Sequence, residues 1–106
     1  MINKIYSMLG LCMKAGKIVC GADVCIDNIK KKKAFLTIIA EDASQNTKEK
    51  FMKLSEEYEI QNIVFGEKDY LSKAVGKVDK VVFAIVDKNF ADKIMKLLKE
   101  IREAIN

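Results

Sequence analysis

Two stretches of this sequence hold the residue types that could do chemistry on a ligand. The first runs from Gly21 to Lys33. A glycine stands between an apolar triplet, Ile18-Val19-Cys20, and an amphipathic stretch whose apolar residues are Ala22, Cys25, Ile26 and Ile29. A glycine there lets the backbone approach a ligand closely. The start of the helix that follows would offer free N–H groups and a partial positive charge, suited to a phosphate or a base edge. Four consecutive lysines, Lys30 to Lys33, close the stretch. They read either as phosphate contacts, which would make binding salt-dependent, or as a solvated run favoured by a helix C-terminus. The second stretch is Val75 to Lys80, where Val75 and Val78 stand among Lys73, Lys77 and Lys80. An apolar loop edged with lysine can press on an unstacked base while gripping the backbone. The alternative is a tight turn whose valines tuck into the core.

Other candidates are weaker. Glu41 and Asp42 follow the apolar run Phe35 to Ala40. Adjacent carboxylates at the end of a strand could hold a metal or act as acid and base, but Asp42, with Gln45 three residues on, also resembles a helix capping box. The chain has no histidine, which removes His-based acid–base catalysis, and neither a GxxxxGK nor a GxGxxG motif. The three cysteines, Cys12, Cys20 and Cys25, match no common zinc spacing and read as small reduced apolar residues. No enzyme, metal site or cofactor is expected.

These stretches must be positioned by the rest of a 106-residue chain, a length for one domain, residues 1–106. The net charge is +4, and it is uneven. Residues 1–53 carry ten lysines against five acids; residues 54–106 carry nine basic residues against ten acids. The basic half fits a nucleic-acid partner or a plain lysine-rich surface. No run approaches the ~20 apolar residues of a membrane span, and a cytoplasmic location is expected.

Ile2, Ile5, Leu9 and Cys12 share a helical face that stops at Gly16. Ile18 to Cys20 predicts a strand and Ala22 onward a helix. Phe35 to Ala40 predicts a strand buried on both faces. Thr47, Phe51, Leu54 and Tyr58 mark a third helix, with Asp42 as its cap. Ile63 to Phe65 predicts a strand, Asp69 to Val75 a short helix closed by Gly76, and Val81 to Val86 a strand. A last helix from Lys88 presents Phe90, Ile94, Leu97, Leu98, Ile101 and Ile105. Such alternation predicts an α/β fold, a three-layer α/β/α sandwich with a four-stranded mixed sheet, largely parallel.

The series Ala15-Gly16-Lys17-Ile18-Val19-Cys20-Gly21, then Ala34 to Ser44 with its Ala40-Glu41-Asp42-Ala43-Ser44 turn, resembles the kink-turn-binding ribosomal-protein family. That is the group of large-subunit proteins seven-Ae and thirty-e. The likeness is strongest to its bacterial YlxQ-type paralogues, which share Leu9-Gly10-Leu11, Asn46-Thr47, Gly76-Lys77 and Val86-Asp87-Lys88-Asn89-Phe90-Ala91. The resemblance implies an α/β/α sandwich and a structured RNA partner, a kink-turn or ribosomal RNA, with association to the ribosome. In typical members the helix after the glycine enters the widened major groove beside tandem sheared G·A pairs. The RNA-contacting positions it implies are Gly21, Asp23, Val24 and Asp27, with Val75, Gly76, Lys77 and Val78 at a flipped-out nucleotide; Ala22 and the flanking Lys17, Lys30 and Lys31 complete the candidate RNA-binding residues.

Three of these depart from the family pattern of Asn, Glu and Lys: Asp23, Val24 and Asp27. Asp23 keeps the acceptors that guanine N1–H and N2–H₂ require. Val24 offers no hydrogen bond. Asp27 puts a negative charge where a phosphate-facing lysine is expected, a repulsion of about 3 kcal/mol at ~6 Å and effective dielectric ~20 before screening. Lys17, Lys30 and Lys31 could offset it. Two readings follow: an RNA-binding protein, or a protein-interaction module on the same scaffold that has lost RNA. Within the first, Gly21→Val is expected to hurt binding more than folding.

Overall fold

The computed structural model describes residues 2–105. Met1, Asn106 and the side chains of Ile2 and Ile105 lie outside the described residues, and with them the helical-face expectation for Ile2 and Ile105. The elements are α1 (Ile2–Lys14), β1 (Ile18–Cys20), α2 (Ala22–Lys30), β2 (Leu36–Ile39), α3 (Gln45–Glu57), β3 (Gln61–Val64), α4 (Lys68–Ala74), β4 (Val82–Ile85) and α5 (Lys88–Ile105). Every expected element is present. The third strand starts and ends earlier than the apolar triplet implied, leaving Phe65 just beyond it.

The sheet order is β1-β4-β2-β3. Every residue of β2 and β4 is buried, because each lies between two strands and under helices on both faces. That explains their unbroken apolar runs. α1, α4 and α5 pack together on one side of the sheet, while α2 and α3 cover the other, giving the three layers. The core joins Ile5, Leu9 and Cys12 of α1 to Ile38, Phe83, Ile85, Ile94 and Leu98, with Phe51 and Ile29 from the opposite layer. A fully buried side chain of this size contributes roughly 1.5–3 kcal/mol. No helix among the described residues is long and apolar enough to cross a membrane.

The sheet is mixed, as expected, and its pairing is less parallel than the alternation implied. Among the described residues only β2 and β3 pair in parallel; β4 is antiparallel to both its neighbours, β1 and β2. The cause is α4. Its seven residues rise only about 10 Å, and the loop behind it is tied back to its own last turn, so the chain re-enters the sheet at the end where β3 left it. β1, β2 and β3 therefore run one way, and β4 is inserted between β1 and β2 in the other.

The one polar residue inside β2 is satisfied locally. Thr37 Oγ1 donates to Asn62 Oδ1 at 2.6 Å. Having spent its single proton there, it accepts from Ser55 Oγ at 3.2 Å, joining β2, β3 and α3.

Asp42 does not cap α3. Ser44 does, its Oγ accepting the Thr47 N–H at 3.1 Å. Asp42 Oδ1 instead accepts the Lys68 N–H at 2.8 Å, across 26 residues, and caps α4, whose own N-cap Glu67 makes no side-chain bond. Asp42→Ala is therefore expected to cost about 1 kcal/mol, a cap's worth, through α4 and not α3. Thermal unfolding followed by circular dichroism would show a drop of several degrees, roughly 4–8 °C per kcal/mol for a chain near this size. Asp42→Asn, which keeps the acceptor, should recover most of it.

Candidate nucleic-acid interface

The C-terminal ends of β1, β2 and β3 and the start of β4 share one end of the sheet. β1 delivers Gly21 there. Its backbone has φ +102° and ψ 148°, a region reserved for glycine. Its N–H donates to the Val82 carbonyl at 2.9 Å, and its own carbonyl accepts the Cys25 N–H at 3.1 Å. The start of α2 is thus bolted to the start of β4. Ala22, Asp23 and Val24 follow, all exposed, with no side chain capping the helix. Their N–H groups are left for a ligand or water.

The same junction holds the lysine-edged loop. Ser72, buried at the end of α4, grips Lys80 twice: its Oγ donates to the Lys80 carbonyl at 3.0 Å and accepts the Lys80 N–H at 2.9 Å. Its carbonyl also accepts the Lys77 N–H at 2.8 Å. The loop is therefore held at both ends, and Lys80 Nζ stands 3.8 Å from where a side chain on Gly21 would begin. Lys68 Nζ pairs with Asp79 Oδ1 at 3.6 Å. Beside the loop a cleft of about 470 Å³ runs between Asp69, Ser72 and Val78.

The two valines part company. Val75 is 4% exposed and belongs to the core, correcting the expectation that it faces a ligand. It follows Leu71 by four residues and so shares its buried face. Val78 is 79% exposed, at the crest of the loop. Gly76 and Lys77 lie exposed between them.

The remaining candidates are elsewhere. Lys17 precedes β1 at the opposite end of the sheet, where its carbonyl accepts the Val86 N–H at 2.8 Å. Lys30 ends α2, about 12 Å along the axis from Ala22, and Lys31 forms its C-cap. They do not adjoin Gly21. Lys31 Nζ instead pairs with Asp27 Oδ2 at 3.0 Å, one helical turn away and well exposed. Such a pair contributes only about 0.3–0.5 kcal/mol, but it places a cation beside the acid that departs from the family pattern. Three residues of the junction carried no distinct signal in the sequence: Lys68, Ser72 and Lys80, the last read only as the loop's edge.

The cysteines are free. Burial pushes the Cys12 and Cys25 thiols up to about 12. Cys20 is also raised by burial, opposed by the Lys77 and Lys80 ammonium groups, whose field reaches the end of β1. Among the described residues no group of three or more His, Cys, Asp or Glu could hold a metal ion.

A glycine-opened helix joined through β4 to a lysine-and-valine loop, on an α/β/α sandwich of this order, defines a class. The chain belongs to the ribosomal protein L7Ae/L30e/S12e/Gadd45 family, whose profile matches residues 3–96. It is 36% identical over 97 residues to the RNA-binding protein YlxQ of Enterococcus faecium, covering 92% of this chain and 93% of that one. It is 34% identical over 93 residues to the RNA-binding protein YlxQ of Bacillus subtilis (strain 168), covering 88% and 93%. Among solved structures, a protein of unknown function from Bacillus halodurans C superposes with a TM-score of 0.88 at 29% identity, over 91% of this chain and 97% of that one. The Giardia lamblia 15.5kD RNA binding protein shares the fold, with a TM-score of 0.76 at 19% identity over 95% and 87%. The resemblance carried by the motif series holds at the level of the family.

Proposed function

We propose that this chain is a non-catalytic, cytoplasmic RNA-binding protein that recognises a kink-turn-like structured RNA and works in association with the ribosome. One observation carries the reading: Gly21 is hydrogen-bonded to the start of β4, so the open end of α2 and the cations of the 77–80 loop stand side by side. The relatives named as RNA-binding proteins at more than 30% identity support it. In this reading Gly21 and Ala22 let backbone and RNA come close, and the free N–H groups of α2 meet a phosphate. Asp23 accepts from a guanine edge. Lys77 and Lys80 neutralise phosphates, and Val78 lies against an unstacked base. Lys17, Lys30 and Lys31 would touch only a longer RNA that reaches the far end of α2.

Gel shifts with a kink-turn RNA and a plain duplex, at several salt concentrations, test the reading. The kink-turn should bind at least tenfold tighter at each. Equal weak binding that vanishes together with salt would leave only polyanion attraction. The exposed Val24, where a polar reader is the family pattern, favours the second reading, a protein-interaction module. A partner retained after nuclease treatment, with no RNA discrimination, would support that module instead.

Cys20 supplies a footprint. It is the partly exposed thiol and feels the charges of Lys77 and Lys80, whereas Cys12 and Cys25 are buried and hard to ionise. Alkylation at pH 8 should modify Cys20 first and the other two only on unfolding. Bound kink-turn RNA should slow Cys20 several-fold. An unchanged rate would move the RNA off this junction.

A further inference from the structure

A second site stands on the other side of α4. Between α1 and α4, beyond the end of β3, a cleft of about 410 Å³ is lined by the aromatic residues Tyr6, Phe65 and Tyr70, the acids Glu41 and Glu67, and Asn3 and Gly66. The ring centroids of Tyr6 and Phe65 are 5.9 Å apart, and those of Tyr6 and Tyr70 6.2 Å, each pair tilted by about 40°. Together they form a curved aromatic wall. Tyr70 is 60% exposed, a large ring that meets Tyr6 on one side and water over the rest.

The wall is held in place. Gly66 has φ +74°, and a Cβ there would come within 2.8 Å of Tyr6 Oη. Any other residue would push the Tyr6 hydroxyl away from the end of β3. Burial and the nearby charges of Glu41 and Glu67 raise the Tyr6 phenol, against the pull of the Glu67 N–H. Both carboxylates therefore act on the same hollow. Among the described residues neither has a cation within ion-pair distance, and no lysine or arginine lines the cleft, on a chain of net charge +4.

The chemistry narrows the occupant. Phosphate and RNA are repelled by the two acids. A metal ion would have no use for three rings, and a neutral apolar ligand none for two carboxylates. A cation on an apolar stem uses both: the ring faces attract it and the carboxylates pair with it. The cleft is larger than an isolated ammonium needs and within the range of ligand pockets. We propose that the cleft between α1 and α4 takes the arginine or lysine side chain of a protein partner, through Tyr6, Phe65, Tyr70, Glu41 and Glu67. α4 separates it from the RNA junction: Glu67 and Tyr70 turn to α1, while Asp69 and Ser72 turn to the 77–80 loop.

Amide-resolved NMR titration of the whole chain tests this independently of RNA. The probes are N-acetyl-arginine amide, its neutral citrulline counterpart, and a glycine-flanked arginine pentapeptide. The arginine amide should shift Tyr6, Glu41, Gly66, Glu67 and Tyr70 saturably. Citrulline should bind at least tenfold more weakly, and the pentapeptide more tightly than the amide. Tyr70→Ala and Glu67→Gln, both at exposed positions, should each weaken binding tenfold or more while unfolding temperature and RNA affinity stay unchanged. Citrulline binding as well as arginine, or full affinity in Tyr70→Ala, overturns the site. A pentapeptide no tighter than the amide overturns the protein partner and assigns the cleft to free organic cations.

Discussion

Reversing Lys77 and Lys80 together to glutamate is expected to lower affinity for a kink-turn RNA about hundredfold at ~0.1 M salt, with the unfolding temperature unchanged within a few degrees. Each lysine that neutralises a phosphate releases a counterion, so each loss also flattens the salt dependence. The single alanine variants should reduce the slope of log affinity against log salt by about one unit apiece. Folding should not suffer. Lys80 is held through its backbone, by Ser72, and none of the described residues forms an ion pair with its ammonium. Lys77 is exposed. Lys93 and Lys96, exposed on α5, an element outside the junction, are the control. Their reversal changes net charge by the same amount without altering the junction, and should cost little. If the control loses as much as the test pair, the interface is not at the junction of β1 and β4.

The elements were legible because their burial is one-dimensional. Ile5, Leu9 and Cys12 recur at helical spacing, and the run from Leu36 to Ile39 has no polar face because it has no solvent face. That the sheet is mixed could be expected, but which strand runs against the others was not legible. Alternating helices and strands imply parallel neighbours only when each helix is long enough to carry the chain back along the sheet. α4 is too short, and the Ser72–Lys80 clamp that sets the return is a contact between two ordinary residues with no pattern around them. Asp42 illustrates the same limit. A capping acid was correctly expected, but the nearest helix in sequence was not the one it caps.

The candidate site was half legible. Gly21 and the 75–78 loop could be singled out separately; their adjacency depends on β4 being inserted beside β1. The burial of Val75 had a signal, its four-residue spacing from Leu71, which marks one face of a helix. Lys17 and Lys30 lie close to Gly21 in sequence, yet one strand and one helix each carry them to the opposite end of the sheet. The aromatic cleft left no trace, since Tyr6, Glu41, Phe65 and Tyr70 come from four separate segments.

Gly21→Val is expected to weaken both folding and RNA binding, a change from the sequence-based expectation that binding would suffer more. At φ +102° and ψ 148° an L side chain is strained whatever the space around it, and a β-branched one more so. The cost is about 1–3 kcal/mol, enough to lower the unfolding temperature by on the order of 10 °C. A domain of this kind starts with roughly 5–15 kcal/mol, so at 25 °C at least about nine-tenths of the variant remains folded. Unfolding alone can then reduce apparent affinity only slightly. The folded molecules carry the informative loss: a valine at 21 places its methyl groups toward Lys80 Nζ, which already stands 3.8 Å from the Cβ position, and covers the opening of α2. Affinity should fall at least tenfold beyond the folded fraction, measured by calorimetric or fluorescence titration at 25 °C beside a denaturation curve. Wild-type affinity in a measurably destabilised variant would mean that the glycine serves the chain's path from β1 into α2 and nothing on the RNA.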